Sequence, residues 1–400
     1  MTTVGLLMTV AILYASSPLE RFLSSKAVNA EATAVIAQDL RTGEILLSHN
    51  ADRALLPASI MKTVTIAGLL KEKGADERFH TAVYADGIIE GGTIEGDLVI
   101  VGGGDPTLGA DCLPESTDIA EEIIAALRHK GIERITGDLR VDTSLFAGPS
   151  CPPSWAAADL REAYGTGSHA LNFRRNSAGS RAVSNPAGVF LAYLSSRLAK
   201  AGITVDGISK AGKTGLSATD AVLLTDHVSD RYAEVMRSCM MRSDNLFAES
   251  LLRTFGIARG KDGSTAAGAT EMQDYWRRFG IPTRGVNIVD GSGLSRSNRV
   301  TARFINAILQ HMGGDEEYAS FMPLAGQEGT LQDFLKETPL DAYVAMKTGS
   351  MKGIRCYAGY KLDEQFAPTH SIVIIMNGMG QRKIARKAAE DLLLAVFGEQ

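Results

Sequence analysis

The strongest constraint on this chain is where its strand signals fall. A hairpin reads over residues 31–50. Ala32-Thr33-Ala34-Val35-Ile36-Ala37 is one strand, Arg41-Thr42-Gly43 the turn, and Glu44-Ile45-Leu46-Leu47-Ser48 the second strand. Further strands of the same texture come only near the other end, at Val344 to Lys347, Gly353 to Leu362 and Ser371 to Met376. Together these predict a five-stranded, mainly antiparallel sheet built from both ends of the chain. Helical runs lie between, over Val64 to Leu70, Arg231 to Met240, Leu246 to Phe255, 264–279 and 301–312, and a last one covers 382–397. Helices on the faces of such a sheet give an α/β sandwich. From 76 to 224 the texture changes to short β runs broken by glycine turns, with helices over Ile119 to Lys130 and 183–200. This stretch reads as a large mixed insertion domain. The expected organisation is a segment over 1–30, a first domain in two parts (31–75 and 225–400), and the insertion over 76–224.

The N-terminal segment has an apolar run, Val4 to Ala15, too short for the roughly 20 residues that span a bilayer. It suits the apolar region of a signal peptide, and Val28-Asn29-Ala30 offers a small-residue cleavage site before Glu31. No Lys or Arg precedes the run, which leaves the α-amino group as its only positive charge. The expectation is export to the periplasm or the outer face of the cytoplasmic membrane. In an oxidising compartment Cys112 and Cys151 could pair, and reduced buried thiols fit the sequence equally well. Cys239 falls in a helical run and reads as core. No C-x-x-C pair exists, so no structural zinc site is expected. A formal charge of −5 and the lack of a basic block with interleaved aromatics argue against a nucleic-acid partner.

The chemistry sits in three short motifs. Ser59 and Lys62 stand three apart at the start of the helix that runs through Leu70, which places a hydroxyl and an amine on one face of its first turn. The helix dipole there disfavours a protonated lysine, and a neutral lysine can take a serine's proton. Taken alone, the pair reads as a capping serine and a solvated lysine. Ser243-Asp244-Asn245 lies in a connector between two helices and alone reads as an N-cap. Lys347-Thr348-Gly349-Ser350 ends a strand. There a lysine and two hydroxyls can grip a carboxylate, and the glycine lets a substrate approach the backbone.

Two decoys fail on context. Gly207 to Thr214 matches the phosphate-loop pattern ending in Lys213-Thr214, but it follows a weak strand and precedes a poor helix start. Val101 to Leu108 is glycine-rich but carries Asp105 where a phosphate loop needs a lysine, and it reads as a tight turn.

Taken in order, the three motifs are the triple of the penicillin-recognising serine enzymes. The chain resembles the low-molecular-mass class C penicillin-binding proteins, the D-alanyl-D-alanine carboxypeptidase/endopeptidase family. The resemblance runs from about residue 32 to the end. It rests also on His49-Asn50-Ala51-Asp52 leading into Pro57-Ala58-Ser59, on Gly96-Asp97-Leu98 with Gly103 to Leu108, and on Gly137-Asp138-Leu139 with Asp142 to Phe146. Ser243 to Glu249 and Asp290 to Arg296 complete it.

This resemblance implies a penicillin-recognising transpeptidase-like domain and a serine hydrolase that needs no metal or cofactor. Its partners would be peptidoglycan peptides and β-lactams, with peripheral membrane association compatible. By the same resemblance, Ser59 is the nucleophile and Lys62 its base. Ser243 relays a proton, Asn245 holds the substrate amide, and Lys347 tunes Ser243 and helps anchor the substrate. Thr348 and Ser350 bind the terminal carboxylate, beside Gly349, and the amides of Ser59 and Ser350 form an oxyanion hole. Asp142, Arg296 and Met351 would meet the diamino-acid end of the substrate. The class A β-lactamases share the triple, but they need a glutamate-bound water and lack so large an insertion. A non-catalytic penicillin binder would show no peptide turnover, and a nucleotidase would bind ATP through Lys213.

Overall fold

The computed structural model describes residues 16–113, 117–213, 215–216 and 221–398. The chain enters through helix α1 (Pro18–Leu23), then the expected hairpin, β1 (Thr33–Asp39) and β2 (Ile45–His49). A 3-10 turn at Ala58–Ile60 runs into α2 (Met61–Lys73). The insertion holds β3 (Arg78–Glu90), β4 (Thr93–Val101), α3 (Ile119–His129), β5 (Arg134–Ile135) and β6 (Leu139–Asp142). After a long loop with the ribbon β7 (Ser177–Ala178) and β8 (Arg181–Ala182) come α4 (Pro186–Lys200), β9 (Thr204–Val205), β10 (Ser209–Gly212) and β11 (Val222–Arg231). Next are α5 (Tyr232–Arg242), α6 (Asn245–Ala258), α7 (Thr265–Arg278), α8 (Ala302–Met312) and α9 (Glu316–Ser320). The chain closes with β12 (Val344–Met351), β13 (Ile354–Leu362), β14 (Pro368–Asn377) and α10 (Arg382–Phe397).

The first sheet has the order β12-β13-β14-β1-β2 and is antiparallel throughout. It joins the two ends of the chain as the strand signals predict. Its central strands read as continuous apolar runs because both faces are covered. In β14, Val373 and Ile375 join a core shared with α2 and α5 to α8, while Ile372, Ile374 and Met376 join a second core under α1 and α10. Helix α2 lies inside the first core, with every residue from Met61 to Leu70 buried. A helix buried all round is the centre of a domain, and this one carries the Ser-x-x-Lys pair.

The insertion is a seven-stranded mixed sheet of order β10-β6-β4-β3-β11, with β5 and β9 at its margin and α3 and α4 packed on it. It leaves the first domain through β3 and returns through β11, which pair antiparallel from Val222↔Ala85 to Arg231↔Arg78. The sequence hides β11 because its pattern is inverted: Val222, Leu223 and Val228 are exposed, while the buried positions His227 and Ser229 are polar. The Gly207–Thr214 pattern forms no phosphate loop. Ser209–Gly212 is a strand running parallel to β6, and Thr214 lies outside the described residues. Cys112 and Cys151 are free thiols, the first packed against the α-helical core and the second beside Gly167.

The apolar run Val4 to Ala15 also lies outside the described residues. The segment between it and β1 belongs to the fold. Phe22 and Ala27 are buried in the core under α10, and the Gly380 N–H donates to the Ala27 carbonyl at 2.9 Å. A cut before Glu31 would strip this layer from α10. A chain beginning at Ser16 should therefore be more stable than one beginning at Glu31 by roughly 3 kcal/mol, the cost of losing one buried phenylalanine. Urea unfolding of the two chains measures this, and equal midpoints would show that α1 contributes nothing.

Candidate active site

Three elements meet at Ser59. It lies in the 3-10 turn ahead of α2, not at a helix cap. Pro57 takes the cap position without a side-chain bond, and Ala58 has a φ of 47°. That left-handed residue is strained by roughly 1 kcal/mol and is held by close neighbours. A Cβ on Gly293 would lie 1.9 Å from the Ala58 carbonyl oxygen, and Gly293 itself has a φ of +82°. On the other side, a Cβ on Gly349 would lie 2.7 Å from the Pro57 carbonyl oxygen and 3.2 Å from Ala58 Cβ. Only glycine lets β12 approach the turn so closely.

Lys62 is wholly buried one turn on. Its Nζ lies 3.0 Å from Ser59 Oγ, 2.7 Å from Asn245 Oδ1 and 2.8 Å from the Ser292 carbonyl oxygen. The last two are acceptors only. A neutral amine donates to both and turns its lone pair to the Ser59 hydroxyl. The Asn245 amide is oriented by its other end, where Nδ2 donates to the Tyr164 carbonyl at 2.8 Å. Burial holds the Lys62 pKa below the ordinary lysine value, against the pull of Cys239, Asp244, Asp290 and Glu249. Lys347 is as deeply buried. Burial first, and then the neighbouring Lys62 charge, push its pKa well down.

The strand β12 divides its labour by the period of two. Lys347 and Gly349 face the helices, while Thr348 and Ser350 face the side covered by α10. The Lys347 Nζ donates to the Thr348 carbonyl at 2.7 Å, and Thr348 Oγ1 bonds Thr330 Oγ1 at 2.8 Å. The outer edge of β12 is paired only in its first half: Ala325 N–H donates to the Val344 carbonyl and Met346 N–H to the Pro323 carbonyl. Beyond Met346 that edge has no backbone partner among the described residues. The same alternation turns the N–H and C=O of Thr348 and Ser350 outward. They face a cleft of ≈ 460 Å³ lined by Ser59, Ser243, Thr330, Thr348, Ser350 and a set of cations. An extended peptide can pair with such an open edge.

Ser243 ends α5 in the left-handed region, with φ 58° and ψ 39°. It lines this cleft and a second one of ≈ 340 Å³ beside Tyr164 and Arg175. Asp244 caps α6 through the Phe247 N–H and pairs with the Arg175 guanidinium at 2.5 Å. Capping and site-building therefore both hold at this motif.

The chain matches the model of the D-Ala-D-Ala carboxypeptidase 3 (S13) family over residues 15–179 and 174–395. The chain belongs to that family. It is 26% identical to the D-alanyl-D-alanine carboxypeptidase of an Actinomadura species, covering 86% of this chain and 77% of that protein. In fold it is similar to penicillin binding protein 4 of Haemophilus influenzae, with a TM-score of 0.82, 22% identity, and 95% and 98% of the two chains covered. It is also similar in fold to a penicillin G-acylated predatory endopeptidase of Bdellovibrio bacteriovorus, with a TM-score of 0.55 and 17% identity, over 90% and 88% of the chains. The protein is a serine enzyme of the D-Ala-D-Ala carboxypeptidase family with the penicillin-recognising fold.

Of the residues assigned by resemblance, Ser59, Lys62, Ser243, Asn245, Lys347, Thr348, Gly349 and Ser350 come together. Asp142, Arg296 and Met351 do not line the cleft at Ser59. The Asp142 carboxylate is taken up by its own turn, where it accepts the Ser144 N–H at 2.8 Å and the Ser144 hydroxyl at 3.0 Å. Arg296 is exposed, on the loop that presents the Ser292 carbonyl to Lys62. Met351 ends β12 and packs partly buried against the helical core. Some supporting residues escape a motif reading. Glu249, buried with its pKa raised by desolvation and by Asp290, accepts the Gly291 and Ser292 N–H groups. Asp290 accepts from Trp155 Nε1 at 2.8 Å and from the Gly293 and Ser295 amides. Both stand inside the longer family matches, but nothing in their local sequence sets them apart.

The depressed Lys62 pKa has a signed consequence. The base works when neutral, so the rate of Ser59 acylation should rise with pH along a limb centred below the ordinary lysine value of about 10.4. A pH profile of penicillin acylation tests this, and a limb centred at the ordinary value would contradict it. Gly349→Ala should slow acylation roughly hundredfold by forcing β12 off the Ser59 turn. Stopped-flow acylation measures that, and an unchanged rate would show that the close approach is dispensable.

Proposed function

We propose that this enzyme cleaves the bond after the penultimate D-alanine of peptidoglycan stem peptides and the related D,D-crosslinks. The observation that carries this reading is the Lys62 amine, held against the Ser59 hydroxyl by two groups that can only accept. Ser59 Oγ attacks the D-alanyl carbonyl as its proton passes to Lys62. The oxyanion is met by the amides of Ser59 and Ser350, the latter turned outward by the strand alternation. As the C–N bond breaks, Ser243 relays the proton to the leaving amine. Asn245 holds the substrate amide, and Thr348 and Ser350 take the carboxylate next to that amine. Water then adds to the ester, its proton returns to Ser59 Oγ, and the acyl group leaves as a carboxylate. β-Lactams stop the cycle at the ester.

A diamino-acid subsite from Arg296 and Met351 fits this reading. Asp142 could join it through the acceptor sites of its carboxylate that Ser144 leaves open. We place the enzyme outside the cytoplasmic membrane, supported by the apolar segment Val4 to Ala15 ahead of the fold. No helix among the described residues is long and apolar enough to cross a membrane.

Intact mass after incubation with benzylpenicillin should show a stoichiometric covalent adduct in the parent and none in Ser59→Ala. Asn245→Ala should slow its formation roughly a hundredfold or more, because the Lys62 amine loses one of the groups that aim it. No adduct in the parent at high antibiotic concentration would sink the acyl-enzyme reading.

A further inference from the structure

The wall of the cleft beyond Ser350 carries more positive charge than one substrate carboxylate can match. Arg355, Arg382, Lys383 and Arg386 all line it, in a chain whose formal charge is −5. Their placement runs against local preference. Arg382 and Lys383 open α10, where the helix dipole disfavours cations. That first turn has no acidic residue, and Gln381 gives no side-chain cap. Arg355 is 9% exposed and shares a sheet face with Ser350, its register partner in β13. Among the described residues its guanidinium bonds only a phenol, Tyr357 OH at 3.0 Å, and lies 4.9 Å over that ring. Arg382 donates to the Ser350 hydroxyl at 2.5 Å. Lys383 has no carboxylate partner among the described residues. Arg386 alone is matched, by Glu390 at 2.9 Å.

Burying a guanidinium without a counter-ion costs free energy, and so does a cation at a helix N-terminus. An anion seated in this wall offsets both costs, and the free amides of the α10 terminus point the same way. The position identifies which part of the substrate it would be. In the mechanism above Thr348 and Ser350 take the carboxylate beside the leaving amine, so the cations beyond Ser350 lie on the path of the leaving fragment.

We propose that this wall is a binding site for an acidic leaving peptide, one that carries a second carboxylate beyond the one beside the reacting amine. The assignment rests on the acyl-enzyme mechanism and sharpens its substrate class. A released D-alanine has a single carboxylate, which Thr348, Ser350 and Arg382 satisfy. Lys383 and Arg355 then act only when the leaving fragment is a whole acidic stem, as in a crosslink. The enzyme is on this view an endopeptidase that reads charge on the acceptor strand.

The test compares two crosslinked muropeptide dimers, one with free side carboxylates on the leaving stem and one with those groups amidated. The parent should cleave the carboxylate form with about tenfold higher kcat/KM, the worth of one charge-assisted contact. Raising the salt concentration should shrink that preference. In Arg382→Gln/Lys383→Gln the ratio should fall to within about twofold of unity, whatever happens to the absolute rates, and Arg382→Lys/Lys383→Arg should restore it. Equal rates in the parent, or a ratio unchanged in the glutamine variant, would overturn the assignment. If that variant fails to fold, salt dependence of the parent's ratio decides, and a salt-insensitive ratio refutes the proposal. Penicillin labelling of the same parent preparation separates the two levels. No adduct condemns the serine mechanism, whereas an adduct without carboxylate preference condemns only this site.

Discussion

A buried amine with nothing but acceptors on two sides is the interaction on which the rest of the site depends. Lys62 gives up its hydration to sit in the core of the first domain, and among the described residues it gains the Asn245 oxygen, the Ser292 carbonyl and the Ser59 hydroxyl. Desolvation favours the neutral form, and the neutral form has one lone pair to place. Since an amide oxygen and a carbonyl cannot donate, the lone pair falls to Ser59. Lys347 is buried nearby, and the Lys62 charge makes protonation of Lys347 more costly. The site therefore holds two buried amines, and burial opposes the charged form of each.

Holding that arrangement takes parts from across the chain. Asn245 is aimed by the Tyr164 carbonyl and Asp244 is paired with Arg175, both from the loop between β6 and α4. The loop carrying Ser292 is folded around Asp290, which is itself bonded by Trp155. Arg253 reaches from α6 to the carbonyls of Ala147, Ser168 and Gly263. The insertion thus does more than extend the molecule. Its long loop braces two of the three segments that hold Lys62, so the orientation of the base depends on contacts between the two domains.

The nucleophile's turn is fixed in a different way, by close backbone contact. Ala58 in the left-handed region is pinned between Gly293 and Gly349, at separations where any side chain would collide with backbone. Strain of this kind persists when its surroundings over-determine it. Here the surroundings are the edge of β12 and the Asp290 loop. The same contact that strains Ala58 brings the outward-facing Ser350 amide to the side of Ser59.

Sequence alone determined the sheet and the catalytic triple. Continuous apolar runs such as Ser371 to Met376 require a strand covered on both faces. A serine and lysine one helical turn apart, a Ser-Asp-Asn connector and a Lys-Thr-Gly strand end carry their chemistry in local spacing. The residues that only the tertiary structure assigned have no local spacing to betray them. Glu249, Asp290, Tyr164 and Arg175 act through partners distant in the chain, and Tyr164 contributes a carbonyl that any residue could supply. β11 escaped because its apolar residues Val222, Leu223 and Val228 are exposed and its buried residues His227 and Ser229 are polar. The cations of α10 and β13 look like ordinary solvated charges in sequence. Their meaning appears only when the fold sets Arg355, Arg382 and Lys383 along one wall of the cleft that Ser59 lines. Asp142 shows the converse: its motif matched, but two hydrogen bonds within its own turn decided where its carboxylate points.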